Sequence, residues 1–386
     1  MNTLAITATN DHVGTRFPSA FVVTALRGNF EVVDQIADEW RELCTEATDD
    51  QPFYRPEFIR AHIRSVIPSA KVVLITARLQ GRLRLVLPLV EELGSFSKVP
   101  VRRLRAPVNF NCGRFDAVRA KGPEGDAAIT STWNFLRNYG SWDMLYCGDT
   151  TEGGTISRLA EIAQADGFLT IRRPNNPNPI VAVPSDPELL KKMPLNARLR
   201  TKLRQVRRQM NEESPLSFYR VTTADHVALQ RFYELEASGW KGRNGSDILH
   251  DGSRMFFDEL AEVAARYGYL SLYMLEWKGQ LIAGHFALTY EGRCYSPKVA
   301  YNEAFKQFAP GHLIVSEMLQ DCAARGIHTY DITGECQEWK MKWTDEMVAM
   351  NHHFIFRGAV GRLAYSVNKR LKLYVKSRPQ TDAKNA

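Results

Sequence analysis

The first half of this chain returns, in the same order, about two hundred residues later, and that repetition limits the fold more than any other feature. A segment with helical periodicity, 29–43, carries Trp40 near its end, and another, 225–240, ends in Trp240. Each leads to a pair of apolar runs around a glycine turn. VVLITARLQGRLRLVLPLV turns at Gly81 and LSLYMLEWKGQLIAGHFALTY turns at Gly279, an offset of 198. Farther on, helical segments 124–139 and 312–325 each precede a short strand that ends in glycine and an acid, WDMLYCGD at 142–149 and HTYDITGE at 328–335. Strands and helices mixed in one repeated order predict duplication of a single α+β unit. The stretch RRPNNPNPIVAVPSDPELLKKMPL, 172–195, is rich in proline and asparagine and reads as the linker. The expected organisation is an N-terminal arm at 1–20 without order, domains at 21–183 and 184–357, and a basic amphipathic helix with a frayed tail at 358–386.

Composition narrows the class. With 386 residues, 44% of them hydrophobic and 24% charged, the chain is an ordinary globular protein with room for two or three domains. The six cysteines, at 44, 112, 147, 294, 322 and 336, form no C-x-x-C pair, which excludes a zinc ribbon or a dithiol redox centre. Scattered thiols suit a reducing compartment. Met1 to Arg16 holds no basic segment followed by an apolar run, and no run of 18 apolar residues exists. Neither a signal peptide nor a membrane-spanning helix is therefore expected, and the expected location is cytoplasmic.

The net charge of +7 is concentrated rather than spread. Residues 191–208 hold eight Lys and Arg without an acid, residues 357–378 hold seven without an acid, and the remainder is net acidic. Two local patches point to a discrete anionic ligand or surface. No helix-turn-helix or zinc-finger pattern is present, so duplex nucleic acid is not an expected partner. In the first patch Leu199, Leu203, Val206 and Met210 form an apolar helical stripe, and Arg200, Arg204, Arg207 and Arg208 form a cationic stripe beside it. Such a stripe is either a solvated face or a clamp for phosphate or carboxylate groups, which guanidinium forks bind through two bonds. In the second patch Arg362, Lys369, Arg370, Lys372, Lys376 and Arg378 interleave with Leu363, Tyr365, Val367, Leu371, Leu373, Tyr374 and Val375. That pattern packs on the body with a basic outer face, or rests on an anionic membrane surface.

Several common chemistries lack their motifs: there is no G-x-x-x-x-G-K-[ST], no G-x-G-x-x-G, no G-x-S-x-G and no H-E-x-x-H. His352 and His353 are adjacent on an expected strand, point to opposite faces and cannot share one metal, so no metal site is expected. The informative stretch is 283–345, which reads as two strands, a loop, a helix from 312, a strand, and a polar loop with Trp339, Lys340 and Trp343. Pro310 and Gly311 open the helix, and the backbone N–H groups of Gly311, His312, Leu313 and Ile314 form a candidate phosphate cradle with Lys306 upstream.

Strand, glycine turn, helix and strand in this order resemble the core of the GNAT acyltransferase fold. LRTKLRQVRRQM, SGWKGR, AYNEAFKQFAPGHLI and DITGECQEWKMKWT, with DEWREL, QPFYRPEF and LVLPLV earlier, resemble more narrowly the CelD/BcsL (BioF2-like) acetyltransferases, relatives of the FemABX peptidyltransferases. The likeness runs from about Phe21 to Arg357. It implies two tandem GNAT-like acyl-CoA N-acyltransferase domains, each a mixed sheet flanked by helices. It also implies acyl-CoA as donor and an amine or hydroxyl of a sugar or small molecule as acceptor, in exopolysaccharide or cellulose production. One departure is plain. The GNAT pyrophosphate loop reads Q/R-x-x-G-x-G/A, whereas Gln307 to His312 hold one glycine. FemABX relatives use aminoacyl-tRNA, so a tRNA-dependent transferase acting on a cell-wall precursor is the alternative, and a non-catalytic binding protein of the same fold is the third reading.

Acyl transfer from a thioester needs a base for the acceptor's proton and donors for the developing oxyanion. By the resemblance, the acyl group lies where the strands at 293–299 and 328–333 diverge. His285, mid-strand, is a candidate base of near-neutral pKa or a core histidine. Lys298 and Tyr301 flank the expected acyl site. Asp331 and Glu335 are candidates to orient or deprotonate the acceptor, or to serve as a turn and a cap. Lys340, in a position similar to the family's aromatic–lysine pair, is the leading catalytic candidate. Trp240 and Lys241 are expected along the acceptor groove. The first half shows no phosphate loop before its 124–139 helix and is expected to supply scaffold and acceptor walls.

Overall fold

The computed structural model describes residues 4–7, 21–109, 111–186 and 197–377. The N-terminal half holds β1 (Leu4–Thr7), β2 (Val22–Gly28), α1 (Ala37–Thr45), α2 (Pro56–Val66), β3 (Lys71–Leu79), β4 (Arg82–Phe96), β5 (Val99–Arg105), β6 (Val118–Arg119), α3 (Gly122–Leu136), β7 (Met144–Thr151), α4 (Thr155–Ala165) and β8 (Leu169–Ala182). The C-terminal half holds α5 (Ala197–Glu213), β9 (Ser217–Val221), α6 (His226–Ala237), α7 (Trp240–Arg243), α8 (Arg254–Arg266), β10 (Leu270–Trp277), β11 (Gln280–Tyr290), β12 (Arg293–Tyr301), α9 (Pro310–Ala324), β13 (Thr329–Asp331), β14 (Met347–Phe356) and α10 (Gly358–Ser377). Residues 4–7 pair with β2. The rest of the expected arm, 187–196 of the expected linker and the tail from 378 lie outside the described residues.

The repeat read from the sequence is present strand by strand. β3–β4 and β10–β11 are hairpins with two-residue turns, Gln80–Gly81 (φ 53° and 81°) and Lys278–Gly279 (φ 51° and 73°). Positive φ at both central positions matches the twist of the flanking strands, which is why glycine recurs 198 residues apart. In each half three antiparallel pairings lead to one parallel pair, β5 with β7 and β12 with β13.

The halves then exchange strands. β14, at the end of the C-terminal half, lies between β7 and β8 of the N-terminal half. The end of β8, Ile180 to Ala182, pairs with β13 of the C-terminal half. One continuous sheet results, ordered β1-β2-β3-β4-β5-β7-β14-β8-β13-β12-β11-β10-β9. This corrects the linker reading: 172–182 is strand, not connection. Proline normally opposes a central strand, but here the β14–β8 ladder slips register between Val348 and Met350, a setting that tolerates it.

Burial follows the repeat. One apolar core belongs to both halves: Phe58 of α2 meets Phe256 of α8 edge-on at 5.5 Å, and Phe53 meets Tyr295 at 5.2 Å. A second core lies under α3 and α4. A third lies under α5 and α9, where Leu199, Leu203, Val206 and Met210 are buried as their spacing predicted. α10 covers a smaller cluster with Phe96, Phe354 and Phe356.

Candidate active site

The site begins where β12 and β13 part. They pair only from Arg293–Thr329 to Tyr295–Asp331; β12 then continues beside β11 to Tyr301, while the other chain turns away. The turn is made by Thr333 (φ 47°) and Gly334 (φ 62°), both left-handed. Asp331 Oδ1 accepts the Thr333 N–H at 2.9 Å, and the Thr333 hydroxyl donates across the fork to the Ser296 carbonyl at 2.9 Å. Lys340, in the 3-10 turn Lys340–Lys342, sends Nζ back to donate to the Thr333 carbonyl at 2.5 Å. Its ammonium lies 5.7 Å from the Trp339 ring centre. Burial pulls the Lys340 pKa down to about 8, against the opposing pull of Cys336, Asp331 and Glu335 and with help from the Lys241 charge.

His285 sits deeper. Its Nδ1 lies 3.3 Å from both the Ser296 and Tyr330 hydroxyls. Burial, reinforced by Lys241 and Lys340, pushes its pKa down to about 3. Of the two sequence readings of His285, base or core histidine, its depth, its hydroxyl partners and its low proton affinity fit the core group. Asp331 is equally unavailable. Its carboxylate forms an ion pair with Arg114 of the N-terminal half, each side chain 2% exposed. Glu335 is exposed and accepts from Asn176 of β8 at 3.0 Å, across the halves.

On the other face of β12 lies a second polar group. Lys241 donates to Glu236 at 2.7 Å and to the Val299 carbonyl at 2.9 Å. Lys298 lies 3.7 Å from Glu236, 3.9 Å from Asp251 and 5.3 Å from the Phe257 ring centre; burial lowers its pKa. Lys241 is thus a tether on β12 rather than an open groove wall. Its neighbour Trp240 is 48% exposed and Tyr301 is 41% exposed.

The opening turn of α9 differs from expectation. Ala309 is left-handed, and the His312 and Leu313 N–H groups donate to its carbonyl at 2.9 and 3.0 Å instead of pointing outward. His312 Nδ1 accepts from the Trp343 indole at 3.0 Å. Burial and the charges of Lys342 and Lys202 push its pKa to about 4, and Lys306 is exposed in the preceding turn. A side chain on Gly311 would meet the Tyr301 ring at 3.6 Å. The arginine stripe is partly spent: Arg207 pairs with Glu317 of α9 at 2.9 Å and Arg208 with Glu212 at 3.7 Å. Arg204 is exposed and Arg200 half-buried on α5.

Sequence reasoning missed Arg114, Glu236, Asp251, Ser296, Thr333, Lys202 and Lys342. Glu236 had a signal, five residues before Lys241 at a helix end; Arg114 had none. Among the described residues no three His, Cys, Asp or Glu side chains are placed to hold a metal ion.

A family model described as an acetyltransferase (GNAT) domain matches residues 197–341, from the start of α5 to just past Lys340. FemX aligns at TM-score 0.59 and 12% identity over 86% of this chain and 98% of that one. The C-terminal DUF2156 domain of an Agrobacterium fabrum protein described as a lysylphosphatidylglycerol synthetase aligns at 0.51 and 10% identity, over 88% and 97%. The fold is that of tandem GNAT-like domains. A Bacteroides thetaiotaomicron protein of unknown function also aligns, at 0.51 and 10% identity over 83% and 97%. At these identities the likeness is one of fold. No curated protein matches the sequence. The GNAT domain match contains the β12–β13 fork, the start of α9 and Lys340, and it leaves the N-terminal half unmatched.

Proposed function

We propose that the chain transfers an acyl group, acetyl in the simplest case, from acyl-CoA to an amine or hydroxyl of a sugar or small molecule, with Lys340 as the proton carrier. The observation that carries this reading is a nearly buried lysine, its pKa drawn to about 8, at the point where two parallel strands diverge. The candidate donors for a phosphate-bearing carrier are Gly311 at the start of α9 and Lys306 in the turn before it; Lys342, whose charge His312 feels, is paired with Glu338 at 3.1 Å. Acyl-CoA supplies the activated thioester carbonyl. Near neutral pH a fraction of Lys340 is the free amine; it takes the proton as the acceptor attacks and returns it to the departing thiolate, whose proton affinity is similar. By the resemblance, backbone N–H groups of the two fork strands are the candidate oxyanion donors. Arg200, Arg204, Arg207 and Arg208 are the candidates to hold an anionic part of donor or acceptor. Trp240 and Tyr301 offer stacking faces, which suits a sugar ring.

The test is acyl transfer by Lys340→Met and Lys340→Arg. Loss of a positioned proton carrier lowers kcat by roughly 10²–10⁴-fold. Equal turnover in all three proteins removes Lys340 from the chemistry.

A second reading keeps the fork and changes the donor to an aminoacyl-tRNA. It is favoured by the α9 opening turn, where the His312 and Leu313 amides donate to the Ala309 carbonyl rather than forming an open backbone cradle. Loss of activity on ribonuclease treatment, with no response to CoA, separates the two. The acceptor side of the proposal extends to a CelD/BcsL-like role in polysaccharide production. α10 supports an anionic membrane surface as a further partner: Val360, Leu363 and Leu371 are exposed on it, and Arg362, Lys369 and Arg370 form no ion pair among the described residues.

A further inference from the structure

We infer that Arg114, in the N-terminal half, is a positioning residue for Lys340 in the C-terminal half, acting through Asp331 and Thr333; the inference rests on the acyl-transfer reading of the fork. Arg114 lies in the loop between β5 and β6 and reaches the last residue of β13. Asp331 uses Oδ2 for Arg114 and Oδ1 for the Thr333 N–H. Thr333 is β-branched and left-handed, a costly backbone state that persists only when its surroundings enforce it. Three bonds do so: the Asp331 carboxylate on its N–H, the Ser296 carbonyl on its hydroxyl, and Lys340 Nζ on its own carbonyl. The direction of that carbonyl sets where Lys340 Nζ rests. Fixing Asp331 therefore fixes the lysine.

Arg114 is itself held from the N-terminal half and the exchanged strand. Its Nη1 donates to Gln51 at 3.4 Å, and Asn178 of β8 donates to the Gly113 carbonyl at 3.3 Å. Gly113 packs so close to Phe53 that an added Cβ would come within 2.8 Å of the ring. A buried ion pair is seldom the most stable filling for its space, because both charges lose their water. Arg114 also leaves its Nε unpartnered, and the buried Tyr54 and Tyr295 hydroxyls, whose fields it feels, are unpartnered as well. So much unmet polarity is poor stabilisation, and placement of the fork turn gives it a purpose. The charged groups that face Lys340 are Asp331 from β13, Glu335 and Cys336 from the following loop, and Lys241 from α7.

The test uses the full-length chain and reads Lys340 directly. Trace labelling with acetic anhydride across pH, followed by peptide mass spectrometry, gives its titration midpoint without any substrate. The proteins are wild type, Arg114→Met, Arg114→Lys, and the double variant Arg114→Met with Asp331→Leu, which replaces the pair by apolar groups and leaves no buried charge unpaired. Expected in Arg114→Met is a midpoint raised toward that of a solvated lysine, roughly 10.4, with the unpaired Asp331 carboxylate pulling the same way; in the double variant that pull is gone, and the rise that remains is the part due to lost placement. Each unit of that rise lowers Lys340 labelling at pH 7 by about tenfold, while exposed Lys121 stays unchanged. Arg114→Lys restores part of the wild-type midpoint. A folded double variant whose Lys340 titrates as in wild type overturns the inference. Titration of wild type with acetyl-CoA separates the two readings. Donor binding with an unmoved midpoint removes only the positioning role; a moved midpoint without donor binding removes only the acyl-transfer reading.

Discussion

At the scale of single residues, depth decides chemistry. Lys340 and His285 both lose affinity for protons by burial, yet the outcomes oppose. A lysine drawn to about 8 becomes a usable base near neutrality, whereas a histidine drawn to about 3 ceases to be one. The pH profile follows with a definite sign. Lys340 must be unprotonated to accept the acceptor's proton, so kcat/KM should rise with pH through a midpoint near 8 and then level. A profile governed by His285 would already be flat above pH 5. Measuring initial rates from pH 5.5 to 9.5 separates them. Lys340 was singled out by its resemblance to a family's aromatic–lysine pair; its burial, which sets its proton affinity, was not in that pattern. The depth of His285 was not legible, since a strand histidine looks alike in a core and at a surface. Arg114 was beyond reach for another reason: its partner lies 217 residues away, and no local pattern encodes that pairing.

At the scale of elements, periodicity carried most of the reading. The apolar stripe of α5 and both glycine-turned hairpins follow from spacing alone. The cations of α5 were read as open because Glu317, which engages Arg207, belongs to α9. β8 was hidden by its prolines, whose local preference argues for a connection; its place in the sheet is set by β14 and β13. α10 makes the clearest prediction at this scale. Vesicles of phosphatidylcholine with 30 mol%, roughly, of phosphatidylglycerol should bind the protein, and neutral vesicles should not. Reversing Arg362, Lys369 and Arg370 removes about 1 kcal/mol per cation, or roughly a hundredfold in all. Equal sedimentation with both vesicle types, or an unchanged triple variant, would sink the membrane reading. No helix among the described residues is long and apolar enough to cross a membrane.

At the scale of the molecule, duplication was legible and exchange was not. The repeated order of segments says that two similar units exist; which unit owns the last strand depends on pairings across the chain. Because β14 completes the N-terminal sheet and β8 reaches β13, fragments 1–183 and 184–386 should each be poorly folded alone and should recover native spectra when co-expressed. A fragment 1–183 that unfolds cooperatively by itself would contradict this.

The halves also differ where a donor would dock. At the start of α3, the counterpart of α9, Glu124 pairs with Arg84 at 2.8 Å and Asp126 with Arg119 at 3.0 Å, so carboxylates stand where phosphates would need cations. The proposal is therefore one donor site per chain. The most direct measurement is calorimetric titration of the intact protein with acetyl-CoA, repeated with Gly311→Trp. The account predicts one molecule bound per chain and binding lost in the variant, with a stabilisation of about 2.7 kcal/mol at a hundredfold excess over Kd. Two molecules per chain, or no binding at all, would contradict it.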